Sequence, residues 1–252
     1  MINLKEKIKN KEVVIGTWNT IGSSKVTKII ASAGFDFQII DLEHGPFVIG
    51  DIHDHVASSS FYKCPCFVRI PKNSDWMALQ VLDQGANGII VPQISNKSDA
   101  ETFVKNTKYY PLGKRGFSPF TFAGGYNNNP EYVEEINKKL INVIIIESLD
   151  GINNIDQILE IEHIDVIYLG AFDLSKELGI PGDIYNKKLV DLINKCVDKI
   201  NATKRIAGSF VPQNIDEVKF CIDMGIKFIT YSLDSHRLRS SFFDDLELIR
   251  KL

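Results

Sequence analysis

The 252-residue sequence has few of the features that identify several large classes of protein. Its formal net charge is only −3 and its basic residues are scattered, which argues against nucleic acid or an anionic membrane as a partner. No run approaches the roughly 18 apolar residues of a membrane span. The opening segment MINLKEKIKNKE is charged and lacks the apolar core of a signal peptide. We therefore expect a soluble globular protein whose partner is a small molecule.

Cysteine is also scarce. Cys64 and Cys66 form a C-x-C rather than a C-x-x-C, and Cys196 and Cys221 do not supply a second pair at zinc-finger spacing. On an alternating strand Cys64 and Cys66 share a face, which favours small apolar core residues over metal ligands. We expect buried free thiols, typical of a reducing cytoplasm.

Eight short apolar runs alternate with longer amphipathic segments. Nearly continuous apolar runs are typical of strands that are buried on both faces. The runs cover residues 13–19, 37–41, 66–70, 88–93, 141–147, 166–170, 205–210 and 228–232. Several of the helical patterns between them end at a glycine a few residues before the next strand, as at Gly34, Gly85 and Gly225. This arrangement is the αβ connection of a βαβ unit.

Eight such units in about 250 residues predict one (β/α)8 barrel over residues 1–252. The alternative is an open doubly wound sheet. Its usual G-x-G-x-x-G motif does not follow the first strand, where GTWNTIG holds only a scattered pair of glycines.

One connection, around residues 108–130, is longer than compact domains usually contain. It carries the aromatic residues Phe117, Phe120, Phe122 and Tyr126. Aromatic residues are scarce in disordered segments. We therefore expect a cover over the catalytic face or an interface element rather than a disordered insertion.

Chemistry in such barrels collects at the carboxyl ends of the strands. The second strand ends in DLEHGPF, which offers Asp41, Glu43 and His44. The polar residues that end or follow the other strands are Arg69, Gln93, Glu147, Asp173, Ser209 and Asp234.

His44 suits general base catalysis near pH 7, and a carboxylate such as Asp41 or Asp83 could orient it and raise its basicity. The remaining histidines fit surface roles better: His53, His55, His163 and His236.

Glu147 and Asp173 follow adjacent strands and could share one divalent cation. Oxygen ligands without cysteine or histidine favour a hard ion, Mg²⁺ or Mn²⁺. Asp173 also stands where a helix cap is expected, which is the alternative for this residue. Arg69 follows CFV in a strand that must be largely buried, so its guanidinium needs anionic partners. Those partners could be the metal carboxylates or a substrate oxygen that gains charge.

These residues, in this order, resemble the HpcH/HpaI aldolase family. The resemblance is carried by DLEHGPF, the arginine of VRIP, LDQGANGIIVPQ, YPLGKRG, the glutamate of IIIES and YLGAFDLSKELG. It runs from about Gly16 to Asp234. The family comprises metal-dependent, class II pyruvate aldolases related to 2-keto-3-deoxy acid aldolases.

The resemblance implies a role for each candidate. His44 would be the proton acceptor, with Asp41 adjacent and Asp83 raising its basicity, and Arg69 would stabilise the enolate and aldolate oxygen. The implied metal ligands are Glu147 and Asp173, for Mg²⁺ or Mn²⁺, with Co²⁺ possible. The implied site for the pyruvate carboxylate is the backbone of Gly170, Ala171, Phe172 and Asp173, at a helix N-terminus. Glu43 and Gln93 are candidates for contacts just outside the ligands, although Glu43 could be only a loop acid.

The implied reaction cleaves or forms a 4-hydroxy-2-oxo acid from pyruvate and an aldehyde. No lysine that could form a Schiff base stands at the eight strand ends, so we expect no organic cofactor and no covalent adduct. The resemblance also implies a homo-oligomer, a hexamer built as a trimer of dimers, with active sites at subunit contacts. It further implies a swapped C-terminal helix, which HRLRSSFFDDLELIRKL fits.

Two residues depart from the family pattern close to the pyruvate. Ile145 stands where relatives often have a glutamine that contacts substrate, and Phe172 stands in place of a small residue. These departures leave two alternatives open. One is a decarboxylase of oxaloacetate-like acids that uses the same metal enolate. The other is a non-catalytic barrel that binds a keto acid.

Overall fold

A computed structural model describes residues 4–129 and 131–252. Eight parallel strands form a closed barrel in chain order. The strands are β1 (Val14–Asn19), β2 (Phe37–Asp41), β3 (Cys66–Arg69), β4 (Gly88–Val91), β5 (Ile141–Ile146), β6 (Val166–Leu169), β7 (Ile206–Val211) and β8 (Phe228–Leu233). The predicted (β/α)8 barrel is confirmed, and each strand agrees with its predicted run to within two residues.

Helices cover the outside of the barrel, with a 3₁₀ turn at Ile49–Asp51. They are α1 (Leu4–Lys9), α2 (Ser24–Ser32), α3 (Ile52–Phe61), α4 (Asp75–Asp83), α5 (Lys97–Thr107), α6 (Tyr132–Lys139), α7 (Leu149–Asn153), α8 (Ile155–Ile158), α9 (Ala171–Glu177), α10 (Lys187–Asn201), α11 (Ile215–Asp223) and α12 (Asp234–Ile249). Within the two described ranges, no helix is both long enough and apolar enough to cross a membrane.

Local sequence signals fix where several helices begin and end. The Ser74 side chain accepts a hydrogen bond from the backbone N–H of Met77 at the start of α4. Asn214 and Glu217 form a capping box at the start of α11. The glycines that follow α2, α4 and α11 all have positive φ, as a glycine at a helix end permits. Each glycine lets the chain turn back to the start of the next strand.

Aromatic rings fill the amino-terminal half of the barrel interior. The ring of Phe37 stacks on Phe228 at 4.1 Å and on Phe67 at 5.3 Å between centroids. There is room for them because neighbouring positions are glycine: a Cβ on Gly16 would lie 2.3 Å from the Phe37 ring, and one on Gly88 would lie 2.8 Å from the Phe67 ring. The barrel is therefore a packed core at this end, and polar residues lie at the opposite end.

A second core lies between the outer face of the barrel and the helices. All four cysteines are free and buried, as predicted. Burial raises the pKa of the Cys64 thiol to about 11, which keeps it protonated and unreactive.

His55 was expected at the surface, and this expectation is wrong. Its ring is buried between α2 and the DLEHGPF turn, where Nδ1 lies 2.6 Å from the Thr27 hydroxyl and the ring packs against Phe47. The face of α3 that packs on the barrel includes this position. Burial lowers the pKa of His55 and so favours the neutral imidazole.

The long loop packs along the helices and towards the amino-terminal ends of the strands. Phe122 stacks edge-on with His53 at 4.5 Å and lies against Gly85, and the backbone N–H of Ala123 donates to the Asp83 carbonyl. The last residue of the predicted segment, Pro130, lies outside the described residues. The described part of the loop therefore lies away from the catalytic face of its own chain, and its role as an interface element stays a prediction.

We predict that Phe37→Ala lowers the free energy of unfolding by about 3–5 kcal/mol, because it leaves a cavity between two stacked rings. Urea unfolding followed by circular dichroism measures this change. Phe61→Ala is the matched control, since Phe61 is exposed on α3 and its truncation should change stability by less than about 0.5 kcal/mol. Equal losses in the two variants would contradict this account of the core.

Candidate active site

Asp41, the last residue of β2, organises the turn that follows it. Its Oδ1 accepts hydrogen bonds from the backbone N–H groups of Glu43 at 3.0 Å and His44 at 3.3 Å. The N–H of Gly45 donates to the Asp41 carbonyl, so close to the backbone that a Cβ on Gly45 would lie 2.4 Å from that oxygen. The sequence D-x-E-H-G therefore builds a tight turn that presents Glu43 and His44 at the mouth of the barrel.

Arg69 ends β3 beside this turn. Its Nε and Nη2 donate to the two carboxylate oxygens of Asp41 at 2.8 and 2.5 Å, and its Nη1 lies 3.0 Å from Glu43. The guanidinium also lies over the Trp18 ring, 4.4 Å from its centroid. Its side chain is 12% exposed, so these anions compensate a nearly buried charge. The anionic partners expected for Arg69 are therefore Asp41 and Glu43.

The His44 side chain is 72% exposed and lies 3.9 Å from the Glu43 carboxylate through Nε2. The contact expected between Asp41 and the imidazole is replaced by one between Asp41 and the backbone N–H of His44. Burial raises the pKa of Glu43, while the positive charge of Arg69 opposes the shift.

Asp83 lies at the other end of the barrel. It is the last residue of α4, the helix that returns the chain to the start of β4, and its carboxylate lies 2.6 Å from Nη2 of Arg115. Within one chain Asp83 therefore lies away from His44, and its role in raising the basicity of that histidine stays a prediction that requires a second copy of the chain. The physical reason is that helices of a βα unit end at the opposite face from the strand ends that carry the chemistry.

Glu147 directly follows β5 and is held from two sides. Its Oε1 accepts a hydrogen bond from the backbone N–H of Gln93 at 2.9 Å. On the other side lies Gly170, where an added Cβ would stand 2.5 Å from the Glu147 Cβ and 3.0 Å from Oε2. Burial raises the pKa of Glu147 to about 7; the Gln93 hydrogen bond opposes this shift and the negative charge of Asp173 adds to it.

Asp173 lies in the first turn of α9, close enough to raise the pKa of Glu147. The expected alternative was a helix cap, but the cap position is Gly170 and α9 has no side-chain cap hydrogen bond. The Asp173 carboxylate instead lies 2.8 Å from Lys176 Nζ and is half exposed. It is thus available to a ligand at the mouth.

These two carboxylates fit a hard divalent cation. Among residues 4–129 and 131–252, no group of three or more His, Cys, Asp or Glu side chains is arranged to hold a metal ion. Glu147 and Asp173 form a pair of oxygen donors; burial is the largest cause of the raised pKa of Glu147, and the negative charge of Asp173 adds to it. A cation would relieve the repulsion between the two carboxylates, and two protein ligands would leave positions for water and substrate.

The sequence and the fold both match known proteins. The model of the HpcH/HpaI aldolase/citrate lyase family matches residues 15–241. The chain belongs to this family.

A 2-keto-3-deoxy-L-rhamnonate aldolase from Escherichia coli is 29% identical, over 92% of this chain and 86% of its own length. An HpcH/HpaI aldolase from Desulfitobacterium hafniense is 26% identical, with a TM-score of 0.91 over 100% of this chain and 98% of that one. A family protein from Burkholderia cenocepacia shares the fold with a TM-score of 0.93 at 24% identity, over 98% of each chain. The predicted activity, that of a pyruvate aldolase and carbon–carbon lyase, is confirmed as the activity of an HpcH/HpaI aldolase.

Ile145 and Phe172, the two residues expected to depart from the HpcH/HpaI pattern, both lie near the candidate metal ligands. Ile145 is buried in the barrel interior, with its Cγ2 3.4 Å from the position of a Gly170 Cβ. Phe172 is half exposed on α9 and lies 6.0 Å from the Phe210 ring. Both are apolar side chains that lie beside Glu147 and Asp173.

Sequence reasoning missed the residues beneath the guanidinium. Trp18 Nε1 donates to the Thr230 hydroxyl at 2.9 Å, and the Tyr168 hydroxyl lies 2.5 Å from the same oxygen. This network fixes the indole under Arg69. Its signal was present in the sequence, because Trp18, Tyr168 and Thr230 all lie in strands that must alternate between interior and exterior.

We predict that Arg69→Met lowers the free energy of unfolding by about 3–5 kcal/mol, because it leaves the Asp41 carboxylate buried without a counter-charge. The double variant Asp41→Asn/Arg69→Met should lose less than the sum of the single variants. Urea unfolding at pH 7 measures all three. Lys187→Met, which breaks an exposed ion pair with Asp191, is the control and should change little. Additive losses would rule out this coupling.

Proposed function

We propose that the chain is a metal-dependent pyruvate aldolase that cleaves or forms a 4-hydroxy-2-oxo acid of the 2-keto-3-deoxy type, with an aldehyde as co-substrate. The proposal rests on one observation. Three kinds of group come together at the carboxyl ends of strands β2, β3, β5 and β6: an arginine paired with two acids, an exposed histidine, and two carboxylates that could bind a metal ion. These residues are Arg69, His44, Glu147 and Asp173.

Glu147 and Asp173 would hold the metal ion, Mg²⁺ or Mn²⁺, with Co²⁺ as a further candidate. Bound there, the ion would polarise the keto group of pyruvate and acidify its methyl group. The backbone from Gly170 to Asp173 would bind the pyruvate carboxylate, since it begins α9 beside Glu147. The Gln93 N–H would keep one oxygen of Glu147 in place.

Arg69 would stabilise the negative charge that develops on the substrate oxygen. Its guanidinium has five N–H donors, and three of its nitrogens contact the acids Asp41 and Glu43. One N–H on each of Nη1 and Nη2 is left for a substrate. Because Asp41 and the Trp18 ring fix the guanidinium plane, these donors are preorganised for an enolate.

His44 would accept and return the proton. Its exposed imidazole stands at the mouth with Glu43 as the neighbouring carboxylate. Asp83 of the same chain is too remote to assist, so only a second copy of the chain could bring that carboxylate to His44. We therefore include a homo-oligomer in the proposal, a trimer of dimers by resemblance. The buried free cysteines support a location in the cytoplasm.

Helix α12 supports the oligomer. None of its residues is buried. Its exposed apolar side chains are Leu238, Phe242, Phe243, Leu246, Leu248 and Ile249. Exposed apolar patches of this kind mark protein contacts.

We predict that Phe242→Asp reduces the oligomer to smaller species, because a charge would be buried in the contact. Light scattering coupled to size-exclusion chromatography measures the mass. Ile215→Asp is the control, since Ile215 is an exposed apolar residue on a different helix, α11. A monomeric wild-type protein, or a Phe242→Asp variant with the wild-type mass, would contradict this use of α12.

The reaction itself is tested with purified protein, pyruvate, Mn²⁺ and a panel of aldehydes, with and without EDTA. We expect an aldol product that disappears with EDTA and returns when metal is added back. Glu147→Ala and Asp173→Ala should each reduce the rate to background. Asp191→Ala, which removes an exposed carboxylate from α10, should not.

Four outcomes would contradict the proposal. Turnover that survives EDTA would exclude the metal, and turnover that survives both ligand substitutions would exclude the assigned carboxylates. Loss of oxaloacetate without aldol product would favour the decarboxylase. A covalent adduct trapped by borohydride with pyruvate would indicate a lysine enzyme instead.

A further inference from the structure

Gln93 has an unusual backbone conformation beside the candidate metal site. Its φ is 59°, in the left-handed region that non-glycine residues seldom adopt. Its side chain is exposed at the mouth of the barrel. A strained backbone at a strand end is often part of how a site is built, so the contacts of this residue show what the strain achieves.

The left-handed residue coincides with a break in the pairing of β4 with β5, and its backbone N–H donates to a side chain instead. Strand β4 pairs with β5 in register up to Val91, opposite Ile144. Pro92 follows and has no N–H to give to the ladder. The N–H of Gln93 turns to Oε1 of Glu147 at 2.9 Å, and the N–H of Ile94 then donates to the Ile145 carbonyl at 3.1 Å. Residues 92–93 thus form a bulge whose free donor points at the candidate metal ligand.

Gly170 limits Glu147 from the opposite side. A side chain at Gly170 would overlap the Glu147 Cβ and approach Oε2 to 3.0 Å. Oε1 of the carboxylate is therefore hydrogen-bonded to the Gln93 N–H, while Oε2 faces the space that a side chain at Gly170 would fill. This leaves Oε2 free for a ligand while Oε1 stays bound to protein, which is how outer contacts orient a metal-binding carboxylate.

We propose that Gln93 is a positioning residue for Glu147, and that it acts through the left-handed backbone of the Pro92–Gln93 bulge rather than through its side chain. This inference rests on the proposed function, because it assumes that Glu147 binds a metal ion. It makes a specific claim about substitutions. Residues that tolerate positive φ keep the site, and residues that resist positive φ damage it, whatever their polarity.

The test measures Mn²⁺ affinity of the full-length protein by electron paramagnetic resonance of free Mn²⁺, without any substrate. Gln93→Gly and Gln93→Asn accept a left-handed backbone, so we expect affinities within about twofold of wild type. Gln93→Val is β-branched and should bind Mn²⁺ about 10–100-fold more weakly, as other losses of outer contacts do. Melting temperatures of all variants are recorded in parallel.

Lys63→Val is the matched control. Lys63 has a φ of 58° and lies between α3 and β3, at the end of the barrel away from Glu147. Its substitution introduces the same strain and should lower the melting temperature about as much as Gln93→Val, with Mn²⁺ affinity unchanged. Gly170→Ala is a second route to the same effect, since it displaces Glu147 from the other side, and it should also weaken Mn²⁺ binding.

The outcomes are distinguishable. Wild-type affinity in Gln93→Val, or equal loss in Gln93→Gly and Gln93→Val, would overturn the backbone role while leaving the metal site intact. A loss in Lys63→Val as large as that in Gln93→Val would reduce the effect to general destabilisation and also overturn it. Failure of the wild-type protein to bind Mn²⁺ would refute the metal site itself, and the inference with it.

Discussion

The charge on Arg69 is the constraint on which the mouth of the barrel depends. A guanidinium that is nearly buried must have anions within reach, and a nearly buried carboxylate such as Asp41 must have a cation. Each fixes the other in a bidentate pair. Asp41 then holds the backbone of the turn that carries Glu43 and His44. One ion pair thus joins two strands and sets the position of the candidate base.

The interior of the barrel differs between its two ends. Stacked rings fill the amino-terminal end, and glycines on neighbouring strands give them room. Higher in the barrel, Trp18 and Tyr168 share the Thr230 hydroxyl, so aromatic side chains with polar atoms are satisfied without water. The guanidinium lies on this platform. Two of its N–H groups are not used by Asp41 and Glu43, and these would be available to a substrate at the mouth.

The sequence predicts the strands closely because strands that are buried on both faces appear as continuous apolar runs. It also predicts which polar residues stand at strand ends. It does not predict partners, because the run FQIID shows that Asp41 ends a strand but not that Arg69 lies opposite it in register. The sequence does indicate where Asp83 lies, since this residue ends a helical segment just before a strand and so belongs at the opposite end of the barrel from His44. The sequence does not indicate that His55 is buried, because which face of a short helix packs on the barrel depends on tertiary contacts.

Ile145 and Phe172 place apolar side chains beside the candidate metal ligands. The side chain of Ile145 has no hydrogen-bonding group, and it lies against Gly170, directly beside Glu147. A substrate there can exchange polar contacts with Arg69, with the carboxylate pair and with backbone, but not with this wall. Apolar walls also lower the local dielectric, which strengthens each remaining electrostatic contact. Burial is the largest cause of the raised pKa of Glu147. The apolar surroundings that make the Glu147 carboxylate costly to ionise also strengthen its Coulombic attraction for a divalent cation. The direction in which the carboxylate points therefore matters, and the backbone N–H of Gln93 holds that direction.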